Sequence, residues 1–201
     1  MKKTWNSKEL DIYRLVFIIF IVKLICLPYA QTVDADAVSR VFISFDWLKN
    51  PHWIRTGVWA PFHFYIIGCG LYIWNNPVIM PKLINIIFSS FTLIPFYYFT
   101  KREFNRNGAL IAAFFLAISP ILFNNSLQSL SETPYLFFLA LTMNLLSLAL
   151  RKNSFIYALL AGLSITAASG IRYEAWIISA VFGLIILLLR RWKLLTVFVI
   201  T

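Results

Sequence analysis

Charge is what this 201-residue sequence has least of: 13% of its residues are Asp, Glu, Lys or Arg, and only eight of them are acids. A soluble domain of this length needs far more polar surface to face water, which excludes a cytosolic globule. Disorder is excluded by the opposite quantity, since 60% of the residues are apolar against about 45–50% in an average soluble domain. Two cysteines are too few for a zinc site or a disulfide framework. Cys26 and Cys69 both lie in apolar runs and read as packing thiols. The net charge of +10 does not point to nucleic acid, because the bases come in short bursts between apolar runs and not on one solvated face. What remains is an all-α polytopic membrane protein.

Apolar runs occupy 12–29, 60–76, 83–100, 109–123, 134–150, 154–170, 174–189 and 194–201. A spanning helix needs about 20 apolar residues, which most runs reach once their polar ends are allowed into the headgroups. The first run follows Lys2 and Lys3, as in a signal peptide. Glu9 and Asp11 in its flank, and the lack of a small residue three places before a cleavage point, make it an uncleaved span. The run 60–76 is the ambiguous one, short and holding Gly68 and Gly70.

The positive-inside bias resolves it. If 60–76 does not cross and the N-terminus is cytoplasmic, only Arg40, Lys49, Arg55, Lys82 and Arg172 fall outside; Lys23 lies within a span, and the other bases are inside. If 60–76 crosses, the majority of bases moves outside. The expectation is therefore six complete spans, a partial one at 194–201 and one long external segment, 31–82. The protein is placed in a membrane, the plasma (inner) membrane if the source is prokaryotic. The last run supplies only about 12 Å of helix, so the chain is expected to be truncated and to need a missing C-terminal part or partner subunit.

The external segment is patterned. Val38, Val41, Phe42, Phe45 and Leu48 form a stripe at helical spacing, with Arg40 and Ser44 off it. Such a helix lies flat at the interface, among the interfacial aromatics Trp47, Trp53, Trp59 and Trp74. Residues 60–76 form a second interfacial or re-entrant helix.

Five of the eight acids collect on this face: Asp34, Asp36, Asp46, Glu132 and Glu174. Ionisable groups near the hydrocarbon boundary invite a functional reading. In an extended strand the carboxylates of Asp34 and Asp36 point the same way and share a cation or a proton. On a helix they are about 200° apart, and Asp34 becomes an N-cap with Asp36 pairing Arg40 at i+4. Ser131 reads as a helix cap, with Glu132 either favoured by the helix dipole or serving as a second acid in the same pocket. Arg172 either pairs locally with Glu174 or forks a phosphate. Lys23 either snorkels outward or neutralises a lipid phosphate. His52 and His63 are lone histidines and read as hydrogen bonders before ligands. Asn124-Asn125-Ser126 matches a glycosylation sequon too close to the membrane to carry weight.

The run Asp34-Ala-Asp36-Ala-Val-Ser-Arg40, then Trp47, then Trp59-Ala-Pro61-Phe-His63 resembles the first external loop of the glycosyltransferase C superfamily. Ser131-Glu132-Thr-Pro-Tyr-Leu-Phe-Phe and Ile171-Arg172-Tyr173-Glu174-Ala-Trp176 follow in the same order. The nearest branch in pattern is the protein O-mannosyltransferase-like family (glycosyltransferase family 39), whose N-terminal part the likeness covers. The resemblance implies two interfacial helices after the first span, a polyprenyl- or dolichyl-phosphate sugar donor and a catalytic base in the first external loop. Here that base is Asp34 or Asp36. An alanine separates these acids where the family has them adjacent, which leaves open which is the base and whether a divalent cation takes part. Arg40, His63, Glu132, Arg172 and Glu174 are then the substrate-binding candidates.

The expected function is an inverting membrane glycosyltransferase, moving a sugar from a lipid-phosphate donor to an acceptor hydroxyl on the external face. Besides that donor, its expected partners are membrane lipids and no nucleic acid. A rival is a non-catalytic protein that binds or moves a lipid-linked sugar; a blander one is a scaffold whose external acids only cap helices.

Overall fold

The computed structural model describes residues 10–30 and 34–200, and the regular elements among the described residues are all helices, without strands. In chain order the helices are α1 (Leu10–Cys26), followed by a 3₁₀ turn at Leu27–Tyr29, α2 (Ala35–Lys49), α3 (Phe62–Ile73), α4 (Met80–Glu103), α5 (Arg106–Ile118), α6 (Pro120–Ser126), α7 (Glu132–Lys152), α8 (Phe155–Ser169), α9 (Glu174–Leu188) and α10 (Trp192–Ile200). By length and composition α4 and α7 are each able to cross a membrane. The expected span 109–123 is broken: α5 and α6 meet at a 58° bend. The reason is local, because Pro120 disfavours helical backbone at Ser119, which takes φ −53° and ψ 121°. At 1.5 Å per residue α8 and α9 are about 22 Å long and α3 about 18 Å, and α3 is too short to cross a hydrocarbon core of about 30 Å.

Small residues let these helices approach closely, the usual device where lipid removes the hydrophobic drive between them. One core gathers Ala149, Ala158, Ala161, Ile165 and Ala168 between α7, α8 and α10. A second gathers Ile12, Ile19, Leu93, Tyr97, Ala109 and Ala113 between α1, α4 and α5. Large side chains such as Phe17, Phe115, Ile177 and Leu188 point outward, towards lipid. Asn153, in the left-handed conformation at φ 48°, closes the tight turn that makes α7 and α8 antiparallel neighbours. At one end of the bundle Arg106 pairs with Asp11, Arg151 with Glu103 at 2.9 Å, and Arg102 donates to the Asn144 carbonyl at 2.7 Å.

The other end carries α2 and α3. The chain leaves α1 and re-enters the bundle at α4 on the same side, where Lys82 Nζ donates to the Ala30 carbonyl at 2.9 Å. The stripe of α2 faces outward, with Phe42 69% exposed, while Ala37, Arg40 and Ser44 are buried. Against α3, Trp47 stacks edge-on with Tyr65 at 5.1 Å. Gly68 makes this approach possible, since a Cβ there would lie 2.6 Å from the Trp47 ring. Gly68→Ala should therefore cost about 1–3 kcal/mol by overpacking, read as a lower unfolding midpoint in detergent. At Gly70 a Cβ meets only the flexible tip of Ile84 and the end of Met80, so Gly70→Ala should cost much less.

Two expectations change here. Lys23 does not snorkel: it is 2% exposed, donates to Ser89 Oγ at 2.8 Å and lies 5.5 Å from the Phe123 ring. The neighbouring helices α4 and α6 enclose it before its stem reaches the surface. Cys26 and Cys69 are free thiols, and Cys69 is exposed rather than packed.

Candidate active site

The start of α2 decides the geometry of the two aspartates. Asp34 has extended backbone, φ −77° and ψ 136°, and its carboxylate accepts the Asp36 N–H at 2.8 Å. This is the capping arrangement, which satisfies a free helix donor and places negative charge at the positive end of the dipole. Asp36 is already helical, in the first turn of α2. Among the described residues no group of three His, Cys, Asp or Glu side chains comes together as a metal site.

One turn on, the expected pair between Asp36 and Arg40 does not form. Arg40 is 5% exposed, its guanidinium lies 4.8 Å from the Trp59 ring, and Nε and Nη1 have no hydrogen-bond partner. The side chain is drawn inward because its face of α2 packs on α3, and the Ser44 hydroxyl, also buried, donates back to the Arg40 carbonyl at 2.7 Å. Burial pushes the Arg40 pKa below the usual arginine range; Glu132, Asp36 and Asp34 favour its charge and Arg172 opposes it. Trp59 is held in place by Thr56, whose hydroxyl donates to the Trp59 carbonyl at 2.7 Å and accepts its N–H at 2.9 Å. Gly57, at φ 71°, supplies the left-handed residue that this clasp requires.

His63, in the first turn of α3, is wholly buried and neither ring nitrogen has a partner. Burial, helped by the charge of Arg40, lowers its pKa to about 3, so the imidazole is neutral at physiological pH and has one donor and one acceptor unused. His52 instead stays exposed, with Nδ1 2.7 Å from the Asn50 carbonyl.

The α6–α7 connection approaches from another side. Asn85, buried in α4, donates to the carbonyls of Gln128 at 2.6 Å and Leu130 at 2.7 Å and fixes this turn. Ser131 does not cap α7 through its side chain: its backbone is helical at φ −75° and ψ −16°, which aims the hydroxyl away from the amides a cap must reach. Its Oγ is buried without a partner. Glu132 Oε1 accepts from Arg172 Nη1 across 40 residues of sequence, while Oε2 is buried and unpartnered. The other edge of Arg172 grips Glu174, with Nη2 2.7 Å from Oε1. The hydrogen bond to Glu174, opposed by burial and reinforced by Glu132, raises the Arg172 pKa. Arg172 is thus bracketed by two carboxylates, one local and one from α7. A backbone bond from Phe62 N–H to the Gly170 carbonyl at 2.7 Å ties the start of α3 to this corner.

The charges of Glu132, Asp36, Arg172 and Asp34 all act on Arg40, and that of Arg40 acts on His63. On the outward face of α2, a groove of about 350 Å³ runs between the apolar stripe and the start of α4, with Asp34, Lys82 and Ser129 among its lining. Lys82 and Ser129 are not among the sequence candidates. One signal was present for Lys82, since a base in the first turn of a helix opposes the dipole. Ser129 carries none, because its placement depends on Asn85.

The family model for dolichyl-phosphate-mannose-protein mannosyltransferase matches residues 58–200. The match takes in His63, Glu132, Arg172 and Glu174 and begins after α2. No match is found among curated proteins. With most of its length matched and its helices apolar, this integral membrane chain belongs to the dolichyl-phosphate-mannose-protein mannosyltransferase family, a glycosyltransferase family.

Proposed function

We propose that the protein transfers a mannosyl-type sugar from a polyprenyl- or dolichyl-phosphate donor to an acceptor hydroxyl, at the membrane face that carries α2 and α3. The observation that carries this reading is Arg40, a buried guanidinium with unused donors beside two aspartates and Glu132. An arginine so placed suits a phosphate arriving from outside the chain. Asp34 is the base: one oxygen is held by the Asp36 N–H, which orients the carboxylate and leaves the other to take a proton. The acceptor oxygen then bonds to the anomeric carbon as the bond to the phosphate oxygen breaks. The electron pair leaves with the lipid phosphate, where Arg40 stabilises the charge. Displacement in one step inverts the anomeric centre. Arg172, already bracketed by Glu132 and Glu174, positions Glu132 next to Arg40, and neutral His63 offers the phosphate a further hydrogen bond.

The test uses membranes containing the intact protein and a radiolabelled polyprenyl-phosphate mannose. Release of polyprenyl phosphate with label on an acceptor, in the anomeric form opposite to the donor's, is the expected result. Donor that is bound and recovered unchanged would favour the binding or transport protein instead.

A further inference from the structure

The groove on the outward face of α2 has walls of carbon. Val41, Phe42 and Phe45 form one side and Val78 the other, and only Asp34, Lys82 and the turn at 128–129 break the apolar lining at one end. Phe42 and Val78 are 69% and 67% exposed, so the groove opens where lipid surrounds the protein. At the polar end, Ser129 is 5% exposed and its hydroxyl has no partner, and neither has Gln128 Oε1. Lys82 spends one of its three donors on the Ala30 carbonyl.

We propose that this groove seats the acceptor, and that the acceptor is a lipid: a hydroxyl-bearing headgroup with an anionic group at the Lys82 end, and an aliphatic chain along the α2 stripe. The proposal rests on the transferase function and on Asp34 as base. In an in-line displacement the acceptor and the leaving phosphate flank the anomeric carbon from opposite sides. Asp34 borders the groove, whereas Arg40 is buried on a different face of α2, so the space on the groove side belongs to the nucleophile. The walls then choose its class. A peptide acceptor carries amides along its length, each costly to bury without a partner, and the walls offer none. An aliphatic chain needs none, and an anionic headgroup complements Lys82 while its hydroxyl reaches Asp34. The hydroxyl proton passes to Asp34, the new bond forms at the anomeric carbon, and the products are a glycosylated lipid and the polyprenyl phosphate.

The intact protein is reconstituted with labelled polyprenyl-phosphate mannose in vesicles of phosphatidylcholine alone or mixed with phosphatidylglycerol, an anionic lipid with free hydroxyls. Label should enter a second lipid only in the mixed vesicles. Val41→Trp and Val78→Trp, which fill the groove from opposite walls, should each lower that transfer at least about tenfold. Binding of the polyprenyl-phosphate donor by both variants should stay within about twofold of the parent. Native mass spectrometry gives an activity-independent check: phosphatidylglycerol retained by the parent should be lost from both variants. Loss of donor binding together with transfer would assign the groove to the donor's own chain and overturn the proposal. Label on a Ser/Thr peptide and none on phosphatidylglycerol, or retention of phosphatidylglycerol unaffected by both substitutions, would do the same. A parent that consumes no donor in any vesicle refutes the transferase function itself, and the acceptor assignment with it.

Discussion

Asp34→Asn should lower sugar transfer by about 100- to 10,000-fold, the range lost with a general base, while leaving the unfolding midpoint unchanged. The two halves of this expectation separate chemistry from structure. Asn is as good an N-cap as Asp, so its side-chain oxygen still accepts the Asp36 N–H that Asp34 now accepts at 2.8 Å. What it loses is the ability to take a proton. Asp34→Ala loses both, and should add a cost of about 1 kcal/mol to α2. Asp36→Asn should be much milder, because Asp36 points away from the groove and acts on Arg40 only through space. Initial rates with labelled donor, measured beside thermal unfolding of each variant, check all three. If Asp36→Asn is the inactive variant and Asp34→Asn keeps more than a tenth of the rate, the base is Asp36 and the capping carboxylate is only a cap.

Arg40→Met should produce the opposite pairing of effects: a slower enzyme that is no less stable. The guanidinium is buried with Nε and Nη1 unpartnered, and a buried charge without a partner costs folding free energy. Met replaces its length with an adaptable apolar chain that still packs under Trp59. Transfer should nevertheless fall by about 100- to 1,000-fold, the loss typical of one donor removed from a developing negative charge. A residue retained at a cost to stability and needed for rate is what a ligand site requires. Rates within about threefold of the parent, or a lower unfolding midpoint, would show that Arg40 is a structural element of the α2–α3 contact.

Much of the architecture was legible from composition and period. The apolar runs place the helices, and the tally of bases gives the expectation that 60–76 does not cross. In the structure α3 is about 18 Å long, and Lys82 ties the start of α4 to the Ala30 carbonyl. The stripe from Val38 to Leu48 locates α2 and its two faces. The break between α5 and α6 was also written in the sequence, at Pro120, but a hydropathy run averages over a single residue and passes across it.

Which face of α2 turns inward was not legible. Hydrophobic periodicity separates two faces without saying whether lipid or protein covers the apolar one, and in a membrane lipid takes it. That inversion buries Arg40, denies it the i+4 partner that helix geometry alone offers, and turns Asp34 to an apolar groove. The bracket of Arg172 between Glu132 and Glu174 was half visible: Glu174 is two residues away, whereas Glu132 is 40.

By itself, then, the sequence determined the class, the helices and the residue types available for chemistry, because these follow from transfer free energies and local period. Only the tertiary structure decided which charges are paired, which are buried without partners and which line one groove. Those properties depend on distances between helices far apart in the chain, and local patterning does not encode them.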